Sequence, residues 1–224
     1  MTGEEPFREQ RDGIRKRLLK YTRRAFRMLP HLDKPRILDI GCGAGISTLE
    51  LARLSRGEVT GIDIDQSALD KFTRGIEAAG LGGRVRARNR SMLEMDFPDG
   101  SFDIVWAEGS IYAVGFARGI REWKQLLKRD GYLVIHDAQG DISGKLGQIR
   151  SGGYELLGYF LLNKETWQQE YFAPLEKLVA EYRGKYPDDA RILREIRLAQ
   201  QELDTFKKDP ENNSSVVFVM KCRQ

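Results

Sequence analysis

The chain has 224 residues and a formal net charge of +4, enough for one domain with a sizeable core or one domain carrying an insertion. No apolar run approaches the ~20 residues of a membrane helix, and the charged segment Met1 to Gln10 lacks the apolar stretch of a secretory signal. Cys42 and Cys222 lie far apart and form neither a disulfide framework nor a zinc pattern, so a cytoplasmic globular protein is expected.

Between Arg8 and Arg27 stand nine Lys or Arg residues and two acids. Such a run suits nucleic acid or a membrane surface, but it suits equally the solvated face of an amphipathic helix. Ile14, Leu18, Tyr21, Ala25 and Leu29 recur at helical spacing and give one helix, ended by Pro30, a face to bury. Only Tyr21 and Phe26 stand among the charges, not a series of stacking platforms, which favours the solvated face.

From there strand and helix alternate. Arg36 to Ile40 is a short buried strand, Ile46 to Leu54 a helix, and Glu58 to Ile62 a second strand. The next helix puts Leu69, Phe72, Ile76 and Ala79 on one face and stops at Gly80. Arg84 to Arg88 alternates arginine with Val85 and Ala87, as an edge strand would, and Phe102 to Ala107 is the fourth strand. Ile120, Trp123 and Leu127 mark the buried side of a helix, after which Asp130-Gly131 turns the chain into a fifth strand, Tyr132 to His136. Repeated units of this kind imply a parallel sheet covered on both faces.

The last third breaks the rhythm. Tyr154 to Leu162 and Val216 to Met220 read as strands six and seven, paired antiparallel at the sheet edge, with about fifty helical residues between them. Pro187 is expected at a first helical position with Asp188 and Asp189 in the first turn. Ile192, Ile196, Ala199, Leu203 and Phe206 then line one face, and Lys207 and Lys208 close the helix. The whole is expected to be one domain: residues 1–30 an N-terminal helical segment, 31–139 the alternating strand–helix core, and 140–224 the last strands with a helical insertion over 164–209.

The segment Arg36-Ile-Leu-Asp-Ile-Gly-Cys-Gly-Ala-Gly-Ile-Ser-Thr runs strand, glycine bend, helix. Gly41 and Gly43 permit a sharp turn and close approach of a ligand, and Gly45 is expected to let the helix start close to the strand. A dinucleotide fingerprint wants Gly-x-Gly-x-x-Gly, whereas Ile46 holds the place of that third glycine. Asp39, two residues ahead of the bend, would repel a pyrophosphate and can hold an ammonium, which suits S-adenosylmethionine, a cation without phosphate. Asp63 ends the second strand eighteen residues beyond Gly45, where a carboxylate can accept from both ribose hydroxyls, and Ile64 can cover adenine. The plainer reading of Asp63, or of Asp65 in its place, is a helix cap.

On these residues the stretch from about Arg36 to Asp137 resembles a class I S-adenosylmethionine-dependent methyltransferase of the small-molecule "type 11" group. The resemblance implies a seven-stranded Rossmann-like α/β sheet with a reversed last strand, an N-terminal helix and a helical insertion between strands six and seven. It implies S-adenosylmethionine as cofactor and S-adenosylhomocysteine as product. Asp39, Gly41, Cys42, Gly43 and Gly45 would surround the methionine part, Asp63 the ribose, and Ser91 and Met92 the adenine, with Ser91 where the family often has Asp. Phe97 to Trp106 is family-like too, and Asp103 in it is expected to shape a turn.

The resemblance places the ends of strands four and five against the transferable methyl group, which makes Glu108, Ser110 and Tyr112 candidates to touch the acceptor. His136, on the same rim, is a candidate general base. Glu108, His136 and Tyr112 are therefore the candidate catalytic residues, Glu108 also counting as a cofactor contact. The plainer readings are a core histidine and a loop-capping glutamate. Trp167, Tyr171 and Phe172, with Tyr154, Tyr159 and Phe160, are core or pocket, and Trp167 to Pro174 is the expected pocket wall. The function implied is methyl transfer to a small molecule by a monomer or homodimer without metal. An RNA methyltransferase using the basic helix is disfavoured by the absence of an Asn-Pro-Pro-Tyr type motif. A non-catalytic methyltransferase-like partner subunit and a nicotinamide oxidoreductase are further alternatives.

Overall fold

The computed structural model describes residues 4–209 and 213–223; Met1 to Gly3 of the charged amino terminus lie outside them. The described residues fall into two compact units, one built from the residues up to Lys20 with Leu162–Ser214, the other from Tyr21–Leu161 with the residues from Ser215 on.

The second unit is a sheet of seven strands: β1 (Arg36–Ile40), β2 (Glu58–Asp63), β3 (Val85–Asn89), β4 (Phe102–Glu108), β5 (Leu127–Ala138), β6 (Tyr154–Leu162) and β7 (Ser215–Cys222). Their order is β3-β2-β1-β4-β5-β7-β6. The first five run parallel and β7 runs antiparallel to β5, so the reversed strand expected from the sequence is present. The arginine-rich β3 is the sheet edge, where charged side chains discourage pairing with another chain. The inner strands are almost continuously buried, as strands covered on both faces must be.

The covering helices of this unit are α3 (Ile46–Ser55), α4 (Gln66–Ala78), α5 (Phe116–Glu122) and α6 (Ile142–Ser151). α4 buries Leu69, Phe72 and Ile76. Asp65 caps it by accepting from the Ala68 N–H, which leaves Asp63 free of that duty.

Two expectations need correction here. The helix through Ile120 ends at Glu122, and a tight 3₁₀ turn carries Trp123 and Leu126 into the core before Leu127 opens β5. Asp130-Gly131 do not start that strand. The register runs Phe102 with Leu127 and then Ile104 with Tyr132, so β5 carries three more residues than β4 over this step. They form a bulge with Asp130 at φ 60°, a conformation that Asp tolerates better than most residues.

The single N-terminal helix is also two: α1 (Glu4–Lys16) and α2 (Leu19–Arg27). Arg17 and Leu18 donate to Ile14 and Arg15, three residues back, and this tightening shifts the phase of the helix. Leu19, Thr22, Ala25 and Leu29 are therefore buried, while Tyr21 is only half-buried.

The first unit is helical: α1, α7 (Lys164–Trp167), a π turn over Gln168–Phe172, α8 (Ala173–Lys185) and α9 (Ala190–Lys208). Its core joins Phe7 to Tyr171, Phe172, Leu175, Leu178, Tyr182 and the stripe Ile192, Ile196, Ala199, Leu203 and Phe206. Phe172 stacks on Phe206 with ring centroids 3.8 Å apart. The stripe of α9 is as expected, but its start is later: Asp189 is the N-cap, accepting from Arg191 and Ile192, and Pro187 and Asp188 precede the helix. The basic run of α1 meets acids within this unit, Arg8 with Glu195 at 2.6 Å and Arg11 with Glu202 at 2.5 Å. Arg17 and Lys20 both reach Glu170.

Candidate active site

Parallel pairing brings the carboxyl ends of β1, β2 and β4 level. Asp39 sits opposite Gly61 on one side and Trp106 on the other, and Glu108 opposite His136. The glycine bend follows β1 at this end. Gly41 and Cys42 both donate their N–H to the Ile62 carbonyl, at 2.8 and 3.0 Å, and Gly45 donates to Cys42. The Gly43 N–H donates to Asp63 Oδ2 at 2.8 Å. Four N–H groups of the bend are thus spent inside the protein, whereas a phosphate-binding loop turns such groups toward its ligand.

Two of the glycines are needed for packing. A Cβ on Gly41 would lie 2.4 Å from the Ser110 Cβ, and one on Gly45 1.9 Å from the Phe72 ring; both residues have φ 76°. Gly45 therefore admits an aromatic ring of α4, rather than a close approach of its own helix to the strand. Gly43, with φ 51°, has nothing within 4 Å of where its Cβ would stand.

Asp39 is buried beneath the bend, 2% exposed, and accepts the Thr48 hydroxyl at 2.6 Å. Burial pushes its carboxyl up to about 7; the nearby Glu108 and Asp63 carboxylates push the same way, and the Thr48 bond opposes them. Among the described residues no cation pairs with it. Burial also raises the Cys42 thiol, with Asp39 and Asp63 adding to the shift, so Cys42 stays protonated and unreactive.

Asp63 accepts Gly43 N–H on Oδ2 and Asp65 N–H on Oδ1. A carboxylate offers about four lone-pair directions, so one on each oxygen remains. Beside it a cleft is lined by Gly41, Ile62, Asp63, Ile64, Arg90, Ser91, Met92, Leu93, Ala113 and Val114. Its lining is chiefly apolar, and Ile64 and Leu93 are well exposed at its sides. The Ser91 hydroxyl accepts the Leu93 N–H.

At the rim the candidates separate. Glu108 accepts from Thr22 and Trp106 on Oε1 and from Ser47 on Oε2. Ser110 is buried and donates to the Ile40 carbonyl, which makes it part of the scaffold. Tyr112 lies on a short turn, Ile111–Ala113, and is 77% exposed. His136 Nε2 stands 2.7 Å from Ser215 Oγ of β7. Burial lowers its pKa below the ordinary imidazole value, against the pull of Glu108 and Asp137, so the ring is neutral at pH 7.

The aromatic residues mostly prove to be core. Tyr154 is buried and donates to the Ile120 carbonyl. Tyr171 and Phe172 lie in the helical unit's core, with ring centroids 5.2 Å apart edge to face. Asp103 is tied to Lys128 and to the Arg36 N–H, an anchor between strands rather than a turn. Thr22 and Ser47, partners of Glu108, had no sequence signal of their own, and Leu93 could have been found as the apolar residue that follows Met92.

Residues 37–131 match a family described as "Methyltransferase domain". A 27-O-demethylrifamycin SV methyltransferase of Amycolatopsis mediterranei is 32% identical over 119 residues, covering 53% of this chain and 44% of that protein. A sterol 24-C-methyltransferase of Neurospora crassa is 26% identical over 200 residues, covering 76% of this chain and 52% of that protein. The chain thus spans about half the length of the curated relatives it matches. A solved S-adenosylmethionine-dependent methyltransferase of Geobacter sulfurreducens, in complex with S-adenosyl-L-homocysteine, superposes with a TM-score of 0.72. It is 20% identical and covers 92% of this chain and 90% of that one.

Proposed function

We propose that the chain is a class I S-adenosylmethionine-dependent methyltransferase that transfers a methyl group from that cofactor to a small-molecule acceptor, as the matched methyltransferase domain supports. The observation that carries the proposal is Asp39: an acid buried with no cation beside it among the described residues, under a bend four of whose N–H groups are already spent. Such a place suits an organic cation and disfavours a pyrophosphate. Among the described residues no group of three or more His, Cys, Asp or Glu side chains is arranged to hold a metal ion.

The residues fit the cofactor part by part. Asp39 lies where it can balance the ammonium, with Gly41, Cys42, Gly43 and Gly45 forming the bend around the methionine chain. Asp63 keeps a lone pair on each oxygen for the two ribose hydroxyls. Ile64, Met92 and Leu93 offer apolar faces to adenine, and Ser91 a hydroxyl to its edge. Bound there, S-adenosylmethionine supplies a methyl group made electrophilic by its sulfonium. The protein's share is then to hold the acceptor in line and exclude water, which can supply much of the rate. His136, neutral through burial, is the group we assign to accept a proton when the acceptor is a hydroxyl or carbon acid. Tyr112, exposed beside the cleft, is assigned to the acceptor.

A small acceptor is favoured by the relatives, named for a rifamycin and a sterol. RNA is disfavoured by the ion pairs of Arg8, Arg11 and Lys20, which engage three of the cations a phosphate backbone would draw on. Calorimetry with S-adenosylhomocysteine and NAD tests the cofactor: binding of the first and indifference to the second is expected, and the reverse would remove the proposal. Methyl transfer from labelled cofactor into metabolite extract tests turnover; cofactor binding with no transfer to any acceptor would leave the non-catalytic reading in its place.

A further inference from the structure

Glu108, at the carboxyl end of β4, collects hydrogen bonds from α2, α3 and its own strand. The Thr22 hydroxyl and the Trp106 indole N–H donate to Oε1 at 2.9 and 2.8 Å, and the Ser47 hydroxyl donates to Oε2 at 2.8 Å. Trp106 reaches it because residues two apart on a strand share a face. Thr22 and Trp106 are both buried. The next residue of α2, Arg23, meets Glu50 at 2.6 Å, and the Glu50 side chain is 8% exposed. Ser47 and Glu50 are three apart, on one face of α3. Two adjacent residues of α2 are therefore gripped at two points along that face.

A proton acceptor, or the partner of an ammonium, must turn lone pairs toward its ligand. Both lone pairs of Oε1 are taken, and one is left on Oε2. We propose that Glu108 is a positioning residue: it pins α2 and the first turn of α3 to the end of β4. It thereby holds the glycine bend, which runs straight into α3 at Ile46, in the shape that receives the cofactor. The proposal rests on the cofactor assignment above for its ligand readout only. Its consequence is that the hydrogen bonds, rather than the charge, hold the two helices in place. In Glu108→Gln the amide oxygen can serve Thr22 and Trp106, and the amide N–H can donate to a Ser47 hydroxyl that turns to accept.

The test compares the full chain with Glu108→Gln, Glu108→Ala and Thr22→Val, by calorimetry with S-adenosylhomocysteine and by hydrogen exchange of the α2 and α3 amides. Glu108→Gln should keep the parent's exchange rates and a Kd within about threefold of the parent's. Glu108→Ala should raise exchange in both helices and weaken binding about tenfold, and Thr22→Val should raise exchange in α2 with a loss of about threefold. A glutamine variant as weak as the alanine variant, with parental exchange, would return the role to the charge and overturn the proposal. Parental exchange in Glu108→Ala and Thr22→Val would remove the pinning. If the parent itself ignores S-adenosylhomocysteine, the cofactor assignment fails, and the exchange rates still decide whether Glu108 pins the two helices.

Discussion

The sheet unit and the helical unit carry the same kinds of conspicuous residue, charges and aromatic rings, and dispose of them in opposite ways. In the helical unit the basic side chains Arg8, Arg11 and Lys20 are answered by Glu195, Glu202 and Glu170, and Tyr171 and Phe172 are packed into the core. At the glycine bend Asp39 is buried with one neutral donor and, among the described residues, no cation, and Ile64 and Leu93 stand exposed in the lining of a cleft. A signal satisfied inside the fold stabilises it, whereas one left unsatisfied costs stability and is retained for a ligand. Charge density alone pointed to α1; the absence of partners points to Asp39.

The largest effect expected separates the two reasons for a glycine in the bend. Gly45→Val would drive a side chain into the Phe72 ring and impose φ 76° on a β-branched residue, costing about 3 kcal/mol or more. Gly43→Ala meets nothing within 4 Å and should cost about 1 kcal/mol of backbone strain. Urea unfolding of both variants checks the order, and equal losses would mean that Phe72 moves aside freely.

Asp63→Ala comes next, with a loss of about ten- to a hundredfold in affinity for S-adenosylhomocysteine. On the proposed assignment it removes the acceptor for two ribose hydroxyls, and it leaves the Gly43 N–H unpaired. Calorimetry reads the loss; parental affinity would detach Asp63 from the ribose.

Asp39 sharpens the comparison through its sign. Its carboxyl is raised in the fold to about 7 from about 3.9 in the unfolded chain. The stability linked to its proton is fully present below the unfolded value and is lost as pH rises to about 7. Asp39→Asn should therefore stabilise the free protein by about 1–2 kcal/mol at pH 8, the advantage growing with pH up to about 7, while weakening S-adenosylhomocysteine binding. In the parent, an ammonium that prefers the ionised carboxylate should bind about tenfold tighter at pH 8 than at pH 6. The asparagine variant should show no such slope. Glu202→Gln in the helical unit should do the opposite, losing about 1 kcal/mol because Arg11 stays half-buried without its partner, with unchanged cofactor affinity. Thermal melts across pH and titrations of both variants read all four outcomes. A destabilised Asp39→Asn would mean that the carboxylate already has a partner in the free protein.

Much of this was legible in the sequence where the information is local. The bend, Asp39 and Asp63 lie within twenty-five residues, and the α9 stripe is one uninterrupted period, so both were placed from spacing alone. What spacing could not reveal depends on partners far along the chain. Thr22 and Glu108 are 86 residues apart, and Phe7 joins a core made of residues beyond Trp167. The bulge in β5 was visible as a turn signal, but Asp130-Gly131 could not tell that its extra residues would stay inside a strand. The break between α1 and α2 carries neither Gly nor Pro, and the tightened turn at Arg17 had no marker.

The smallest effect tests the proposed seating of adenine in the cleft. Ser91 stands where the resembling family often has an acid, and its oxygen already accepts the Leu93 N–H. Its hydroxyl can donate to a ring nitrogen, but it is a weaker acceptor than a carboxylate for the 6-amino group. Ser91→Asp should therefore tighten S-adenosylhomocysteine binding by about threefold and leave the affinity for its inosine counterpart, which lacks that amino group, unimproved. Paired titrations of the two nucleosides against parent and variant give the comparison. Equal gains for both would mean that the new charge acts on the cation at a distance, and that the base edge faces elsewhere in the cleft.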